Sequence, residues 1–380
     1  MQCVVRVSII GVSYHAFFLI FILLCMDKEN KILGWLFMLI MLISACGAEP
    51  DATTDLSWSD VFGEETRITV TAPDTLMPPS STRQVVPIGD SLIAVADSGN
   101  RRILLVTPDG DIQETLGQAG DGPGEFSLLA YLDADAQGRL YAFDVDGRTV
   151  SVFAPDGSEG AYTYTRQFTL PTSMVDMKVM QSHLITLSST GGEMRLAKHT
   201  LEGEPVHEAQ VSSGSEYEVF ASRFNLGGLA GLGNGQVVVV LPSEPPVQWY
   251  HEDDLALIDD TPTLQGLPED STFPADLNPY DYTDEHAAWW SESWRVSDVY
   301  ALTDRTYAVA TYKPDGQDVD TQRVHVYEHG HAEPRATVYV PDDLFLIGGR
   351  NGHLYATADP DYVNGEETPL QIATFQYQLN

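Results

Sequence analysis

One structural unit recurs along the chain, and this repeat constrains the fold more than any other feature of the sequence. The unit is an apolar strand, a turn containing Asp, Gly or Asn, a second strand, and a further turn that is often spelled Pro-Asp-Gly. Its clearest copy runs from Ser91 to Gly110, and a second copy from Gly138 to Gly157 aligns with it almost residue for residue. Strand pairs joined by such turns are typical of β-hairpins, so the repeat predicts sheets built from successive hairpins.

Four later copies keep the strand pair but depart from the detailed spelling. Successive first strands are about 45 to 55 residues apart, except for one interval of about 70 residues between the fourth and fifth copies. That period is typical of four-stranded propeller blades, and no helical apolar period is sustained after the first apolar segments. The pattern therefore predicts an all-β, six-bladed β-propeller. The later strand pairs are 184–187 with 195–198, 237–241 with 247–250, 307–310 with 324–327, and 354–357 with 372–377.

The two ends of the repeat region predict how the ring closes. The last strand pair ends close to Asn380 and leaves no room for an outer strand, whereas the strand Thr66–Ala72 precedes the first full blade and has no partner. Pairing this early strand with the last blade would supply its fourth strand and remove exposed sheet edges. We therefore assign residues 66–380 to a propeller that is closed by an N-terminal strand.

The first two copies carry a resemblance to a known family. Residues Ala96–Ile103, together with the following Leu116–Phe126, resemble NHL repeats, and the motif extends from Leu92 to Gly157. The chain as a whole resembles the six-bladed propeller lipoproteins of bacteria, a family whose functions are largely unassigned. Beyond Gly157 the resemblance depends on spacing and pattern alone.

The segment before the repeats has the parts of an export signal. Two apolar runs, Val7–Cys25 and Ile32–Ala45, are separated by polar residues, and the second run ends in small residues directly before Cys46. This arrangement resembles a bacterial lipoprotein signal, which implies cleavage before Cys46 and lipid attachment to its thiol. Ile43 stands where such signals usually have Leu. A plain signal peptide and a retained membrane helix are the alternatives.

These features divide the N-terminal part into a leader and lipoprotein signal, residues 1–45, and a lipid-anchored tether, residues 46–65. A translation start at Met26 would remove the first apolar run, which otherwise could form a membrane helix. Gly47-Ala48 lacks the Asp that retains many lipoproteins in the inner membrane, so we expect an envelope protein in the outer rather than the inner membrane. All three cysteines lie in or at the end of the leader, so neither disulfides nor Cys-ligated zinc are expected in the mature domain.

The charge of the chain excludes one class of partner. Lys and Arg total 20 against 55 Asp and Glu, for a formal net charge of -35. A field of this sign repels nucleic acid. The acidic residues are spread along the chain, so their simplest role is solubility; attraction of cations or basic surfaces is the alternative.

Charged residues recur in the turns of the two clearest copies. Asp97 with Arg102, and Asp144 with Arg148, occupy similar places between paired strands. A residue pair that repeats is expected to fix the turn by a charged hydrogen bond rather than to catalyse a reaction.

The long interval between the fourth and fifth copies contains an insertion at about residues 259–295, after a segment near Leu255–Ile258 that we expect to supply an outer strand of the fourth blade. The insertion is rich in aromatic and acidic residues, and long loops on a rigid scaffold often bind ligands. The cluster could form a platform for a carbohydrate, an aromatic ligand or an envelope protein, or it could cap an apolar edge. A divalent cation such as calcium could bind its carboxylates, although no dedicated calcium loop is present. The candidate residues are Tyr280, Tyr282, Asp284, His286, Trp289, Trp290 and Trp294.

No catalytic constellation accompanies this architecture. His325, His329 and His331 are close in sequence but fall within one outer part of a blade, where a solvated turn is expected rather than a metal site. Phosphate loops, nucleophile elbows and metalloprotease motifs are absent from the sequence. The sequence therefore favours a non-catalytic binding or protein-interaction scaffold at the cell envelope. The alternative is a lactonase-like hydrolase or lyase with a cation in the central channel.

Overall fold

The computed structural model describes a chain of β-strands with one short helix, α1, at Trp58–Phe62. The described residues are 56–71, 82–89, 91–157, 160–170, 173–190, 193–211, 227–241, 246–259, 261–268, 283, 285, 294–313, 321–358 and 370–379. Leu56–Asn380 forms one compact unit. In the described ranges, no helix is long and apolar enough to cross a membrane.

The strands form six antiparallel sheets, which we call blades 1 to 6 in chain order. Blade 1 contains β2 (Thr82–Ile88), β3 (Leu92–Asp97), β4 (Arg102–Val106) and β5 (Ile112–Leu116). Blade 2 contains β6 (Leu129–Ala134), β7 (Leu140–Asp144), β8 (Thr149–Pro155) and β9 (Tyr162–Thr169). Blade 3 contains β10 (Ser173–Met180), β11 (His183–Thr190), β12 (Glu193–Thr200) and β13 (Pro205–Gln210).

The second half of the chain continues the pattern. Blade 4 contains β14 (Gly228–Leu232), β15 (Gln236–Val240) and β16 (Val247–His251). Blade 5 contains β17 (Arg295–Ala301), β18 (Thr306–Lys313), β19 (Thr321–Glu328) and β20 (Ala336–Tyr339). Blade 6 contains β21 (Leu344–Arg350), β22 (His353–Ala358), β23 (Gln371–Gln376) and β1 (Thr66–Thr69).

One strand of each blade lies innermost, and these six inner strands, β2, β6, β10, β14, β17 and β21, form a ring. Each inner strand packs beside the inner strand of the next blade, and β21 of blade 6 packs beside β2 of blade 1. The all-β, six-bladed β-propeller predicted from the repeat is therefore confirmed. The six predicted strand pairs are the second and third strands of the six blades.

Apolar packing occurs between the blades. The described core divides into six clusters, and each cluster joins residues of two neighbouring blades. Alternate residues of one strand serve opposite neighbours: Leu140 and Ala142 of β7 pack towards blade 1, whereas Tyr141 and Phe143 pack towards blade 3. Because side chains of a strand alternate between the two sheet faces, a strand covered on both faces is apolar throughout. This explains why the repeats contain unbroken apolar runs.

Blade 4 differs from the others in its outer region. Beyond β16, Tyr250 forms an isolated antiparallel bridge with Leu257, and the Ile258 amide donates to the Trp249 carbonyl oxygen at 2.8 Å. The segment from Leu255 to Ile258 thus lies at the position where the sequence predicts an outer strand, although it pairs over only this short length.

Residues at both ends of the propeller meet in blade 6. β1 pairs antiparallel with β23, with Thr66 opposite Thr374 and Thr69 opposite Gln371. The sheet order is β1-β23-β22-β21, so β1 occupies the outer position of the blade.

Packing begins earlier in the chain than the predicted tether, residues 46–65, allows. Val61 and Phe62 of α1 are both 0% exposed and belong to the cluster between blades 5 and 6. The Phe62 ring lies 4.5 Å from Trp58 and 6.2 Å from Tyr377, measured between ring centroids. The sequence analysis missed this helix because five residues are too few to show a helical period.

Replacing Phe62 with alanine should therefore lower the free energy of unfolding by about 3 to 4 kcal/mol, because the substitution removes a buried aromatic ring and leaves a cavity. Urea unfolding followed by tryptophan fluorescence measures this loss. Ser59→Ala, on the exposed side of the same helix, is the control and should change stability by less than about 0.5 kcal/mol. Equal stability of the two variants would show that the helix does not contribute to the folded domain.

Candidate functional site

A cavity of about 750 Å³ lies inside the ring of inner strands. Its wall comes from all six inner strands and from the short turns that follow several of them, including residues Gln181, Gly233 and Asn351. Its lining includes apolar residues such as Met180, Leu232 and Ile347, which also pack between blades, and charged residues such as Lys178, Asp298 and Arg350. Ligand pockets in proteins commonly have volumes of about 300 to 1,000 Å³, so this cavity has the size of a small-molecule site.

Polar side chains of the inner strands satisfy backbone amides of neighbouring blades. An inner strand is a sheet edge, so the N–H groups on its unpaired side lack partners within their own sheet. Gln84 accepts from the Leu132 amide, Asp133 accepts from the Val179 amide, and Asp176 accepts from the amide of Leu229 at 2.9 Å. These three contacts join blade 1 to blade 2, blade 2 to blade 3, and blade 3 to blade 4.

Two cations neutralise the carboxylates of this network. The Lys178 Nζ lies 2.9 Å from Asp176 Oδ1, and the Arg350 guanidinium forms an ion pair with Asp133. Burial alone would lower the pKa of Lys178, but the charges of Asp176, Asp298 and Asp133 outweigh it and raise that pKa. Lys178 therefore stays protonated at neutral pH and cannot act there as a nucleophilic amine.

Asp298 on β17 is the third carboxylate that surrounds Lys178, and it has no ion pair of its own among the described residues. Its Oδ1 accepts from the Val299 amide at 2.7 Å, and the Tyr300 hydroxyl donates a hydrogen bond to the same carboxyl group. The pKa of Asp298 is raised to about 7, mainly by burial. The charge of Lys178 lowers this pKa in part, and the charge of Asp176 raises it. Burial also raises the pKa of Tyr300 well above its ordinary value, and the negative charge of Asp298 raises it further.

The backbone of blade 4 leaves room for this carboxylate. A Cβ atom at Gly228 would lie 2.2 Å from Asp298 Oδ1, so any larger residue at this position would collide with the carboxyl group. Gly228 is followed by Leu229, whose amide is bound by Asp176. The start of β14 thus contacts both the Asp176 and the Asp298 carboxylates and contributes no charge of its own.

Most of the aromatic and acidic residues predicted to bind a ligand, namely Tyr280, Tyr282, Asp284, His286, Trp289 and Trp290, lie outside the described residues. Trp294 is described, and it is half-buried directly before β17. The Arg323 guanidinium lies 4.0 Å from the Trp294 ring centroid and 4.5 Å from that of Tyr339. One face of the Trp294 ring is therefore covered by a cation of the protein itself.

The aspartates of the predicted turns form hydrogen bonds within the turns, but one of the two predicted pairings is wrong. Arg102 Nε donates to Asp97 Oδ2 at 2.9 Å, as the sequence predicts. Asp144 instead accepts from backbone amides, at 3.0 Å from Leu128 and 2.8 Å from Gly147. The predicted pairing of Asp144 with Arg148 is wrong.

The spacing of the turn explains this difference. Asp97 pairs with Arg102 in the strand register, and Asp144 pairs with Thr149, so Arg148 is equivalent to Arg101. Both arginines have positive φ angles, 58° for Arg101 and 51° for Arg148. Arg148 therefore occupies a left-handed turn position. It precedes by one residue Thr149, which is the position equivalent to Arg102.

The histidines of blade 5 do not form a site together. His325 is buried, with ring nitrogens 3.1 Å from both Thr311 Oγ1 and Thr337 Oγ1. Burial lowers its pKa to about 4, and Arg323 contributes to the shift. His329 packs with its ring centroid 4.9 Å from that of Trp249. Among the residues with described positions, no group of three His, Cys, Asp or Glu side chains is arranged to hold a metal ion.

The channel residues Asp133, Asp176, Lys178, Asp298 and Arg350 were missed from the sequence. A signal was present, because charged residues interrupt otherwise apolar strands at these positions. Such residues are rarely buried unless they are paired. The sequence does not show which of them meet, since Asp176 and Lys178 belong to blade 3 and Asp298 belongs to blade 5.

Comparison with known proteins gives likeness in structure alone. No protein-family model matches the chain, and no curated protein sequence matches it. A "Putative exported protein" from Bacteroides fragilis has a TM-score of 0.56 at 14% identity, over 86% of this chain and 98% of that one. A DUF4221 family member from Bacteroides vulgatus has a TM-score of 0.50 at 9% identity, over 84% and 97%.

A virginiamycin B lyase from Staphylococcus aureus is more distant, with a TM-score of 0.43 at 10% identity, over 78% of this chain and 80% of that one. At such identities a structural likeness concerns the fold and does not transfer an activity. The chain is a six-bladed β-propeller, and it shares its overall fold with proteins of very different sequence.

Proposed function

We propose that this protein is an exported binding protein of the cell envelope, which takes a small polar molecule into its central cavity without transforming it. The observation that carries the proposal is the cavity of about 750 Å³, lined by both apolar and charged side chains. Pockets that bind small molecules combine an apolar wall with a few polar groups that fix orientation. A propeller scaffold places such groups on six rigid inner strands.

The chemistry of the wall supports binding over catalysis. Asp133 and Asp176 are engaged by backbone amides and by cations, so both are held in structural contacts. The described residues also lack a grouping that would hold a catalytic metal ion, which weakens the lactonase-like alternative with a cation in the channel. Calcium bound by carboxylates of the insertion remains a separate proposal.

The location is part of the same proposal. Lipid attachment at Cys46, which lies outside the described residues, would anchor the protein to a membrane, with the outer membrane preferred over the inner one. A structural neighbour that bears the name "Putative exported protein" is in line with export. The aromatic insertion could then contact an envelope protein or a carbohydrate, independently of the cavity.

The binding function can be tested by native mass spectrometry of the purified full-length protein. The protein is incubated with the low-molecular-mass fraction of a cell extract, and one stoichiometric adduct that is recovered unchanged after release is expected. Met180→Trp should abolish the adduct because it places an indole inside the cavity, whereas Val206→Trp, on the exposed outer strand of blade 3, should leave it intact. Absence of any adduct, or an adduct that persists in Met180→Trp, would contradict binding in the cavity.

An acid–base enzyme is the second candidate, and Asp298 is the observation that favours it. A carboxyl group with a pKa of about 7 beside the Tyr300 hydroxyl could accept and donate protons at neutral pH. The same experiment separates the two functions. Recovery of a chemically altered molecule, at a rate that depends on Asp298, would favour the enzyme over the binding protein.

A further inference from the structure

Among the described residues, the charges around the cavity do not balance. Three carboxylates, Asp133, Asp176 and Asp298, surround Lys178, and in the described part of the chain two cations, Lys178 and Arg350, form ion pairs with members of this set. Lys178 is bound to Asp176 and Arg350 to Asp133, which leaves Asp298 without a cation in contact. An uncompensated carboxylate that is partly removed from water is unfavourable, and a positively charged group beside it would restore the balance.

We propose that the cavity binds small organic amines and that Asp298 receives the ammonium group. This inference rests on the proposed binding function and names the class of molecule that the same cavity would accept. The Tyr300 hydroxyl and the Val299 amide fix the orientation of the carboxylate, so the acceptor is held in place before a ligand arrives. Preorganised acceptors lose little entropy on binding.

The donor set favours an organic cation over a metal ion. Asp298 Oδ1 already accepts from the Val299 amide, and the facing residue of blade 4 is Gly228, which has no side chain to coordinate a metal. Calcium requires about six to eight oxygen ligands, and magnesium requires octahedral coordination. An ammonium group needs only a few hydrogen-bond acceptors. The apolar residues Met180, Leu232 and Ile347 on the same wall would contact the carbon skeleton.

The turn residues at the mouth of the cavity also favour a positively charged ligand. Glu252 and Asp304 lie among the turn residues of the lining, together with Arg305, whose guanidinium pairs with Glu328 at 3.6 Å. Among the described lining residues, four carboxylates therefore exceed three cations, and the excess lies at the mouth. Together with the negative net charge of the chain, this distribution attracts cations and repels anions during approach.

Calorimetric titration of the full-length protein with two sets of matched compounds tests the inference. Hexylamine, hexanol and hexanoate share one skeleton, and tyramine, 4-ethylphenol and 4-hydroxyphenylacetate share another. At pH 8 we expect each amine to bind at least about ten-fold more tightly than its neutral counterpart, because it adds a charge-assisted hydrogen bond. Asp298→Asn should remove this advantage, whereas Asp109→Asn, an equal charge change in an exposed turn, should preserve it.

Acidity supplies a second readout. The groups that face Asp298 are Lys178 and Asp176 on β10 and Tyr300 on its own strand, and Lys178 and Tyr300 keep their protons at neutral pH. Amine binding should therefore weaken as the pH falls through about 7, where Asp298 takes up a proton, and this dependence should disappear in Asp298→Asn. Melting curves of both variants establish that they are folded.

The outcomes separate this inference from the proposed function. If the neutral or anionic compounds bind as tightly as the amines, and Met180→Trp prevents their binding, the cavity is a binding site but the preference for amines is refuted. If amines bind equally to the native protein and to Asp298→Asn, the assignment of Asp298 is refuted. If no compound of either set binds and no adduct forms with the cell extract, the binding function itself is refuted.

Discussion

Replacing Lys178 with methionine is expected to lower the free energy of unfolding by about 3 to 5 kcal/mol at pH 8, because it removes one partner of a buried ion pair and leaves the other charged. The ammonium group is bound to Asp176 at 2.9 Å and is surrounded also by Asp133 and Asp298. Methionine has a similar length, so the effect on packing should be small. Chemical unfolding at equilibrium measures the loss.

The matched control for this prediction is Arg305→Met. Arg305 also lines the cavity, but its side chain is 64% exposed and its contact with Glu328 is a surface pair, so the expected change is below about 1 kcal/mol. Adding Asp298→Asn to Lys178→Met should recover part of the lost stability, since one of the carboxylates that repel each other is then neutral. A loss below 1 kcal/mol for Lys178→Met would contradict its role as the central cation of the cavity wall.

Replacing Asp298 with asparagine should have the opposite effect and stabilise the protein at pH 8 by about 1 to 3 kcal/mol. The folded-state pKa of about 7 lies above the ordinary value, so the folded protein holds the proton more tightly than the unfolded chain does. The stability that this provides is complete below about pH 4 and is lost as the pH rises through 7. The difference between the folded-state pKa and the ordinary pKa of the carboxyl group corresponds to about 4 kcal/mol of stability at most, and water in the cavity reduces this amount.

The gain should therefore depend on pH. Near pH 4 the native protein and Asp298→Asn should have similar stabilities, and the difference should increase between pH 4 and pH 7 and then remain constant. Unfolding midpoints measured at several pH values give the curve directly. A constant difference across this range would mean that Asp298 does not titrate near neutrality. A residue that lowers stability at neutral pH is typical of functional sites, where charge is retained for binding or catalysis.

The sequence predicts the second and third strands of each blade well, but not the inner strands. Except for β16 of the three-stranded blade 4, the second and third strands of each blade lie between two strands of their own sheet. They also lie between two neighbouring blades, so they are largely apolar, and they are bounded by short turns. Those are the features that repeat analysis detects, and all six pairs were found. The inner strands were not found, because five of the six contain a β-bulge and several contain charged residues that interrupt the apolar pattern.

The candidate site could not be assembled from spacing alone. Lys178 and Asp298 belong to strands that are not sequence neighbours, and they approach each other only because the blades close into a ring. Arg350 and Asp133 meet across blade 1 for the same reason. The aromatic insertion was conspicuous in the sequence, but only Trp294 among its predicted ligand-binding residues is described, so its ligand role stays a prediction.

The division of the core into six separate clusters has a consequence for how such a protein can change over time. Each cluster lies between two blades, and only some cavity-lining residues, such as Met180, Leu232 and Ile347, also belong to a cluster. Substitutions of cavity-lining residues that belong to no cluster and bind no neighbouring blade can therefore alter what the protein recognises without requiring the clusters to repack, and distant substitutions should have additive effects on stability. The axis is therefore open to evolutionary variation only in part, because Asp133 and Asp176 at the axis also hold neighbouring blades together and Lys178 is paired with Asp176.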